Sequence, residues 1–325
     1  LNIDLKIILT HLSKEISGFT ISIFRIIFGA ILLLQSIYWI ITDFIKINII
    51  DPTFLFPFIN GLNPFNDLLM NYGLNGLLLC SSFMIIINKY YRIGLALYLL
   101  SFTYLWLLCQ GYFNNHYYLI SILCFLLLFN KAPFSKFEKT RVPYINLFIL
   151  KSLIVLVYFI SGVNKLNPYW LIDFQPITYI LSKIGINENS ILIPVFAYSG
   201  LLFDLLIGPL LIIDKTRFIG IIFSILFHIT NFVIFILVGG EIGFFPFIMI
   251  ATLILFVDSK KIEKIYFDQK SRIASKQKFN TPLTIFFLFF LILQIALPFR
   301  HFLFDGYVDY NGIGQRFSWR LKNMY

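Results

Sequence analysis

The chain has 325 residues, of which 59% are hydrophobic and 13% charged, with a mean hydropathy of +0.84 and a formal net charge of +10. Soluble domains carry about 25% charged residues, and a monomer in water could not hide this much Phe, Ile and Leu without large apolar patches. A water-soluble globular class is excluded, the bilayer is the implied solvent, and no nucleic-acid partner is expected because the positive charge follows membrane topology instead.

In chain order, apolar runs of about 20 residues, the length that crosses hydrocarbon, are predicted near 19–41, 67–87, 93–110, 116–130, 145–162, 191–213, 218–238, 242–257 and 281–299, the fourth and eighth being short. They are continuously apolar rather than alternating, and in lipid each segment must satisfy its own backbone, so helices are expected. The expected fold class is all-α integral membrane, a multi-span helical bundle with about nine transmembrane helices. Between the first two runs, DPTFLFPFINGLNPFN at 51–66 is rich in Pro, Phe and Asn and reads as a compact interfacial cap. The connections 88–92, 131–141, 214–217 and 258–278 hold 15 lysines and arginines, whereas 42–66, 111–115, 163–190 and 239–241 hold 3. Cytoplasmic loops collect these residues, so the N-terminus is expected inside and the C-terminus outside. The longest inner connection, DSKKIEKIYFDQKSRIASKQKF, reads either as a surface-lying amphipathic helix or as a solvated basic connector. Cys80, Cys109 and Cys124 lie in apolar runs without ligand spacing, so buried thiols are expected and no metal. No repeat or linker divides the chain, which reads as a single multi-span domain over 1–325. Leu1 implies a fragment or a processed product, with no short cleavable signal peptide ahead of the first run.

Polar groups in or beside these runs are expensive and therefore informative. Arg25 and Lys151 lie in the inner portions of their runs and are expected to snorkel to the headgroups; Glu241 would mark the outer interface. NNHYY places Asn114, Asn115 and His116 at the outer mouth of the fourth run, where the histidine is either a hydrogen-bonded cap or a site residue. In FHITN, His228 and Asn231 share a helix face near mid-membrane, as an interhelical hydrogen bond or as part of a ligand site. Asp204, in GLLFDLLIGPLL, must be protonated, paired or hydrated. Lys165, in YFISGVNKLNPYW, follows the fifth run on the outer side, two turns after Tyr158. It is either an anchor or a base; a base would need its ammonium desolvated so that the free amine is populated.

The segments NNHYYL, YFISGVNKLNPYWL, GLLFDLLIGPLL, FHITNFVIF with IGFFPFIMIA, and QIALPFRHFLFDGY before RFSWR occur in an order and spacing that resembles the vitamin K-dependent gamma-carboxylases and their bacterial homologues, the HTTM-domain proteins. The resemblance implies a membrane enzyme that couples epoxidation of reduced vitamin K, a naphthohydroquinone, to carboxylation of glutamate in a protein or peptide. Dioxygen and carbon dioxide are its implied co-substrates, and lipid and quinone its membrane partners. The lysine matching the family's base is Lys165, and the family's histidines match His116, His228 and His301. Asn115, Asn231, Asp204 and Tyr158 are expected around the quinone by position; Arg300, beside His301, suits an oxyanion or carboxylate or else snorkels. Two departures stand out. Asn164 replaces the first lysine of the animal pair, and the family's soluble outer domain is expected to be absent or truncated after Tyr325. The implied location is a bacterial inner membrane with the active site toward the outer face. A non-catalytic HTTM protein that binds quinone or lipid, or assists export or immunity, is the alternative.

Overall fold

A computed structural model describes residues 2–131, 138–240, 242–266, 272–306, 308 and 312–320. In chain order the elements are α1 (Asn2–Leu12), β1 (Glu15–Ser17), α2 (Phe19–Ile41), α3 (Asn75–Ile86), α4 (Tyr91–Leu108), α5 (Asn115–Leu128), β2 (Glu138–Pro143), α6 (Ile145–Asn164), α7 (Pro168–Leu171), α8 (Ile177–Ser182), α9 (Leu192–Ile212), α10 (Arg217–Leu237), α11 (Phe245–Thr252), α12 (Ser259–Tyr266), β3 (Arg272–Lys276) and α13 (Thr281–Phe299). Among the described residues, 7 helical segments are long and apolar enough to cross a membrane: Phe19–Ile41, Leu69–Ile86, Tyr91–Leu108, Ile145–Asn164, Leu192–Ile212, Arg217–Leu237 and Thr281–Leu303. The two runs read as short form shorter apolar helices, Asn115–Leu128 and Phe245–Phe256. The chain is an all-α multi-span integral membrane protein. The reason is elementary: where water cannot serve the backbone, a helix serves itself.

The chain divides into two compact units, Leu1–Leu150 with Val257–Phe286, and Lys151–Phe256 with Phe287–Tyr325. In the first, α2 packs on α3, α3 on α4 and α4 on α5. Small residues set these distances. A Cβ on Gly94 would stand 2.6 Å from the Ser81 carbonyl oxygen, so α3 and α4 touch backbone to backbone there. The segment 51–66 folds as a cap, as its composition suggested: Phe58 N–H donates to the Leu107 carbonyl at 2.9 Å, Gln110 N–H to the Phe56 carbonyl at 2.7 Å and the Tyr104 hydroxyl to the Asn63 carbonyl at 2.9 Å.

Three expectations change in the first unit. Arg25 does not snorkel. It is 2% exposed, donates to the Ile85 carbonyl and to Asn88 Oδ1, each at 2.7 Å, and lies 4.4 Å from the Tyr91 ring centre. The end of α3 leaves carbonyls that the helix cannot bond internally, and the guanidinium meets one of them with a short, strong hydrogen bond. The inner connection is neither one helix nor a plain connector, because α12 is followed by a strand. β2 pairs antiparallel with β1 and parallel with β3, giving a small sheet in the order β1-β2-β3. α12 is held by Arg141, which is ion-paired with Glu263 at 2.9 Å, while Ile265 on the same helix is 88% exposed. Cys80, expected to be buried, is exposed; Cys109 and Cys124 are buried.

In the second unit α7, α8 and α10 each contact α9, and α11 contacts α10. Glycines again let helices approach. A Cβ on Gly162 of α6 would stand 2.8 Å from Leu205 Cδ2 of α9, and one on Gly208 of α9 would stand 2.8 Å from Val155 Cγ1 of α6. Lys151, the other residue expected to snorkel, is half-buried with its ammonium 5.5 Å from the Phe256 ring centre. Glu241 lies outside the described residues.

Candidate functional site

The site is assembled around the end of α6. The helix stops at Asn164, and two residues after Lys165 the chain starts again: Asn167 caps α7 by accepting from the Trp170 N–H at 3.0 Å, with Pro168 at the first helical position. Asn at the cap and Pro just inside it form a strong local start signal. The turn brings Trp170 back over the lysine, 5.0 Å from Nζ to the ring centre. Trp170 Nε1–H donates to the Ala197 carbonyl at 2.9 Å, which fixes the indole against α9.

Lys165 Nζ therefore has three neighbours. Asp204 of α9 is ion-paired with it, Ser161 Oγ, one turn back on α6, lies at 3.3 Å, and the Trp170 face closes a third side. The side chains of Lys165 and Asp204 are only 14% and 5% exposed. Charges are tolerated in such a place only when paired and hydrogen-bonded, so the sequence-level question about Asp204 is answered: it is paired. The close approach of α6 and α9 at Gly162 and Gly208 brings Lys165, just past the end of α6, to the carboxylate on α9.

Two turns down α6, Tyr158 Oη and His228 Nε2 of α10 share a hydrogen bond of 2.6 Å, with both residues buried. Aromatic rings surround the pair: Phe203 lies edge-on to Tyr158 at 5.6 Å and Phe245 edge-on to His228 at 6.0 Å, while Phe203 and Phe227 stack at 3.8 Å. Asn231, a turn along α10, is half-buried.

A third cluster lies at the far end of α13. His301 Nδ1–H donates to the Pro298 carbonyl at 2.8 Å, which leaves Nε2 as the acceptor for Arg320 Nη2 at 3.3 Å. Arg300 donates to the Leu297 carbonyl at 2.9 Å and to the Arg316 carbonyl. Asn164 Nδ2 donates to the Ser318 carbonyl at 2.7 Å, so the RFSWR segment is tied to the last residue of α6, next to the lysine. Phe317 and Trp319 adopt left-handed backbone conformations, with φ of 60° and 59°. Such strain persists only where the surroundings over-determine it.

The structure thus joins Lys165 to Asp204, Tyr158 to His228, and His301 to a strut of protein groups. Asn115 and His116 are half-buried in the first unit, where Asn114 caps α5 by accepting from the Tyr117 N–H at 3.0 Å. Sequence reasoning missed Ser161, Trp170, Asn164 as a donor, and Arg320. Of these only Ser161 carried a readable signal, its spacing of one helical turn from Lys165.

The family model of the HTTM domain matches residues 14–260 of the chain. That of the vitamin K-dependent gamma-carboxylase lumenal domain matches residues 279–324. No solved structure matches the chain.

Proposed function

The chain belongs to the HTTM-domain family, and from that premise we propose that it is a vitamin K-dependent gamma-glutamyl carboxylase-like membrane enzyme, coupling hydroquinone epoxidation to carboxylation of protein glutamate. The observation that carries this reading is the amine of Lys165, withdrawn from water at the end of a span and held by Asp204, Ser161 and Trp170. A cation on a flexible stem, partly withdrawn from water beside a carboxylate, supports a proton-transfer role, whereas an interfacial anchor needs no such partners.

The residues fit a reduced naphthoquinone. Trp170 offers a flat aromatic face beside the amine, and Tyr158, His228, Phe203 and Phe245 form an aromatic, nearly dry cluster further along α6. When bound, the reduced quinone supplies the oxidation with dioxygen and the strong base that removes a glutamate γ-hydrogen ahead of carbon dioxide capture. The protein's part is smaller and more specific. Lys165 Nζ takes a hydroxyl proton, the Tyr158–His228 pair orients a polar edge, and the phenylalanines keep out the water that would quench a strong base. The strut around His301, Arg300 and Asn164 fixes the height of the lysine. The lysine and arginine distribution supports a site facing outward across what we take to be a bacterial inner membrane.

The ion pair also favours a second reading, a non-catalytic HTTM protein in which Lys165 and Asp204 merely bolt α6 to α9. One assay separates the two. Membranes supplied with reduced vitamin K, dioxygen and labelled bicarbonate are expected to yield epoxide and label in a glutamate peptide, and Lys165→Ala to yield neither. Wild-type membranes without epoxide would leave the non-catalytic reading standing.

A further inference from the structure

The pairing raises a difficulty that also points to its answer. An amine ion-paired with a carboxylate is an ammonium, and an ammonium cannot accept a proton. We propose that Asp204 is the terminal proton acceptor of the site, with Lys165 the relay that carries a phenolic proton to it. This rests on the reading of Lys165 as the base.

The geometry favours it. The two groups touch, Asp204 is buried and Lys165 half-buried, and the other described contacts of the amine, a hydroxyl and an indole face, carry no charge. In so dry a setting the charged pair loses much of its advantage over the neutral one, because each ion has forfeited its hydration. An N–H bond of Lys165 breaks and an O–H bond forms on Asp204, leaving a neutral amine and a neutral acid. The amine then takes the proton of a phenolic hydroxyl and becomes an ammonium again. One proton has passed from substrate oxygen to Asp204, and the site still holds one positive and one negative charge. The negative charge now sits on the substrate oxygen, beside the ammonium that stabilises it. Asp204 acts through Lys165 and is a positioning residue as well as a proton store.

The test has three readouts on the protein in detergent. Without quinone, acetic anhydride labelling read by mass spectrometry is expected to modify Lys165 faster in Asp204→Asn than in wild type, by on the order of tenfold relative to Lys183, because the amine is released from its ion pair. Epoxide formation by the same variant is expected to fall about a hundredfold, while Asp204→Glu restores most of it. The combination is the signature: an amine that is more available yet less competent. Infrared difference spectra of anaerobic wild-type protein mixed with reduced vitamin K are expected to gain a carboxylic-acid carbonyl band that shifts in Asp204→Glu.

Unchanged labelling would show that the pair does not hold the amine and would overturn the proposal. So would an Asp204→Asn protein that forms epoxide at the wild-type rate, which would leave Lys165 as the sole base and the functional reading intact. If Asp204→Asn does not fold, the infrared band in wild-type protein decides, and its absence overturns the proposal. A wild-type protein that forms no epoxide overturns the functional reading itself, and this assignment with it.

Discussion

Arg25, which is buried, and Lys165, which is half-buried, are both cations in apolar helical surroundings, and on the reading proposed for Lys165 they serve opposite purposes. Arg25 is met by neutral acceptors, the Ile85 carbonyl and Asn88 Oδ1, and by the face of Tyr91. A guanidinium does not give up its proton in a protein, so that arrangement is locked. Lys165 is met by a carboxylate, a hydroxyl and an indole face. On the proposed reading its proton has somewhere to go. Both are largely withdrawn from water, so on that reading the chemistry of the partners, and not depth, distinguishes a structural cation from a reagent.

The largest expected effect sharpens this contrast at the lysine. Lys165→Arg keeps a positive charge opposite Asp204 and should fold, yet epoxide formation should fall by about a hundredfold to ten-thousandfold, the usual contribution of a positioned acid or base. A Lys165→Arg protein with full activity would reduce Lys165 to the status of Arg25. The reciprocal change comes next. Arg25→Leu strands the Ile85 carbonyl and should destabilise the protein by about 3 kcal/mol, read as a lowered thermal midpoint in detergent, while the molecules that remain folded turn over normally. Loss of turnover without loss of stability would break the comparison from the other side.

Smaller effects test how the lysine is held. Gly162→Ala places a methyl group into Leu205 of α9. Overpacking of this kind costs about 1–3 kcal/mol, and the displacement of Lys165 from Asp204 should lower epoxidation about tenfold; a matched Leu205→Ala should recover part of both. Asn164→Ala should be mildest, costing about 1 kcal/mol for one buried hydrogen bond and appearing as faster proteolysis within 312–320, because the Ser318 carbonyl loses its donor.

Much of the architecture was legible in the linear sequence, and the reason is solvent. Continuous apolar runs in hydrocarbon have one local solution, so the long helices and the cap at 51–66 could be read from composition. The sheet could not. β1 has 3 residues and its partner β2 begins at Glu138, and so short a segment has no periodicity to detect. Arg25 was misread because snorkelling is a property of the side chain alone, whereas capping depends on α3 ending beside it. At the site, Lys165 and Asp204 were each visible as anomalies, but their pairing depends on α6 lying against α9. Gly162 and Gly208, which permit that approach, are unremarkable as letters. Asn164 was read as a lost lysine, and the structure makes it a donor to Ser318.

The register of the small sheet has a consequence for synthesis. β2 runs parallel to β3, and the chain between them, from Pro143 to Arg272, contains α6 to α12. The first unit is therefore discontinuous and cannot close its sheet until α6 to α11 have left the ribosome. Its early part must wait in the bilayer, with β1 and β2 paired and one edge still open, while more than a hundred residues are inserted. Long-range pairing of this kind is slow and exposes intermediates. Ribosome-bound chains halted before Arg272 should thus hold a first unit that proteases cut readily, and chains released beyond Lys276 one that resists.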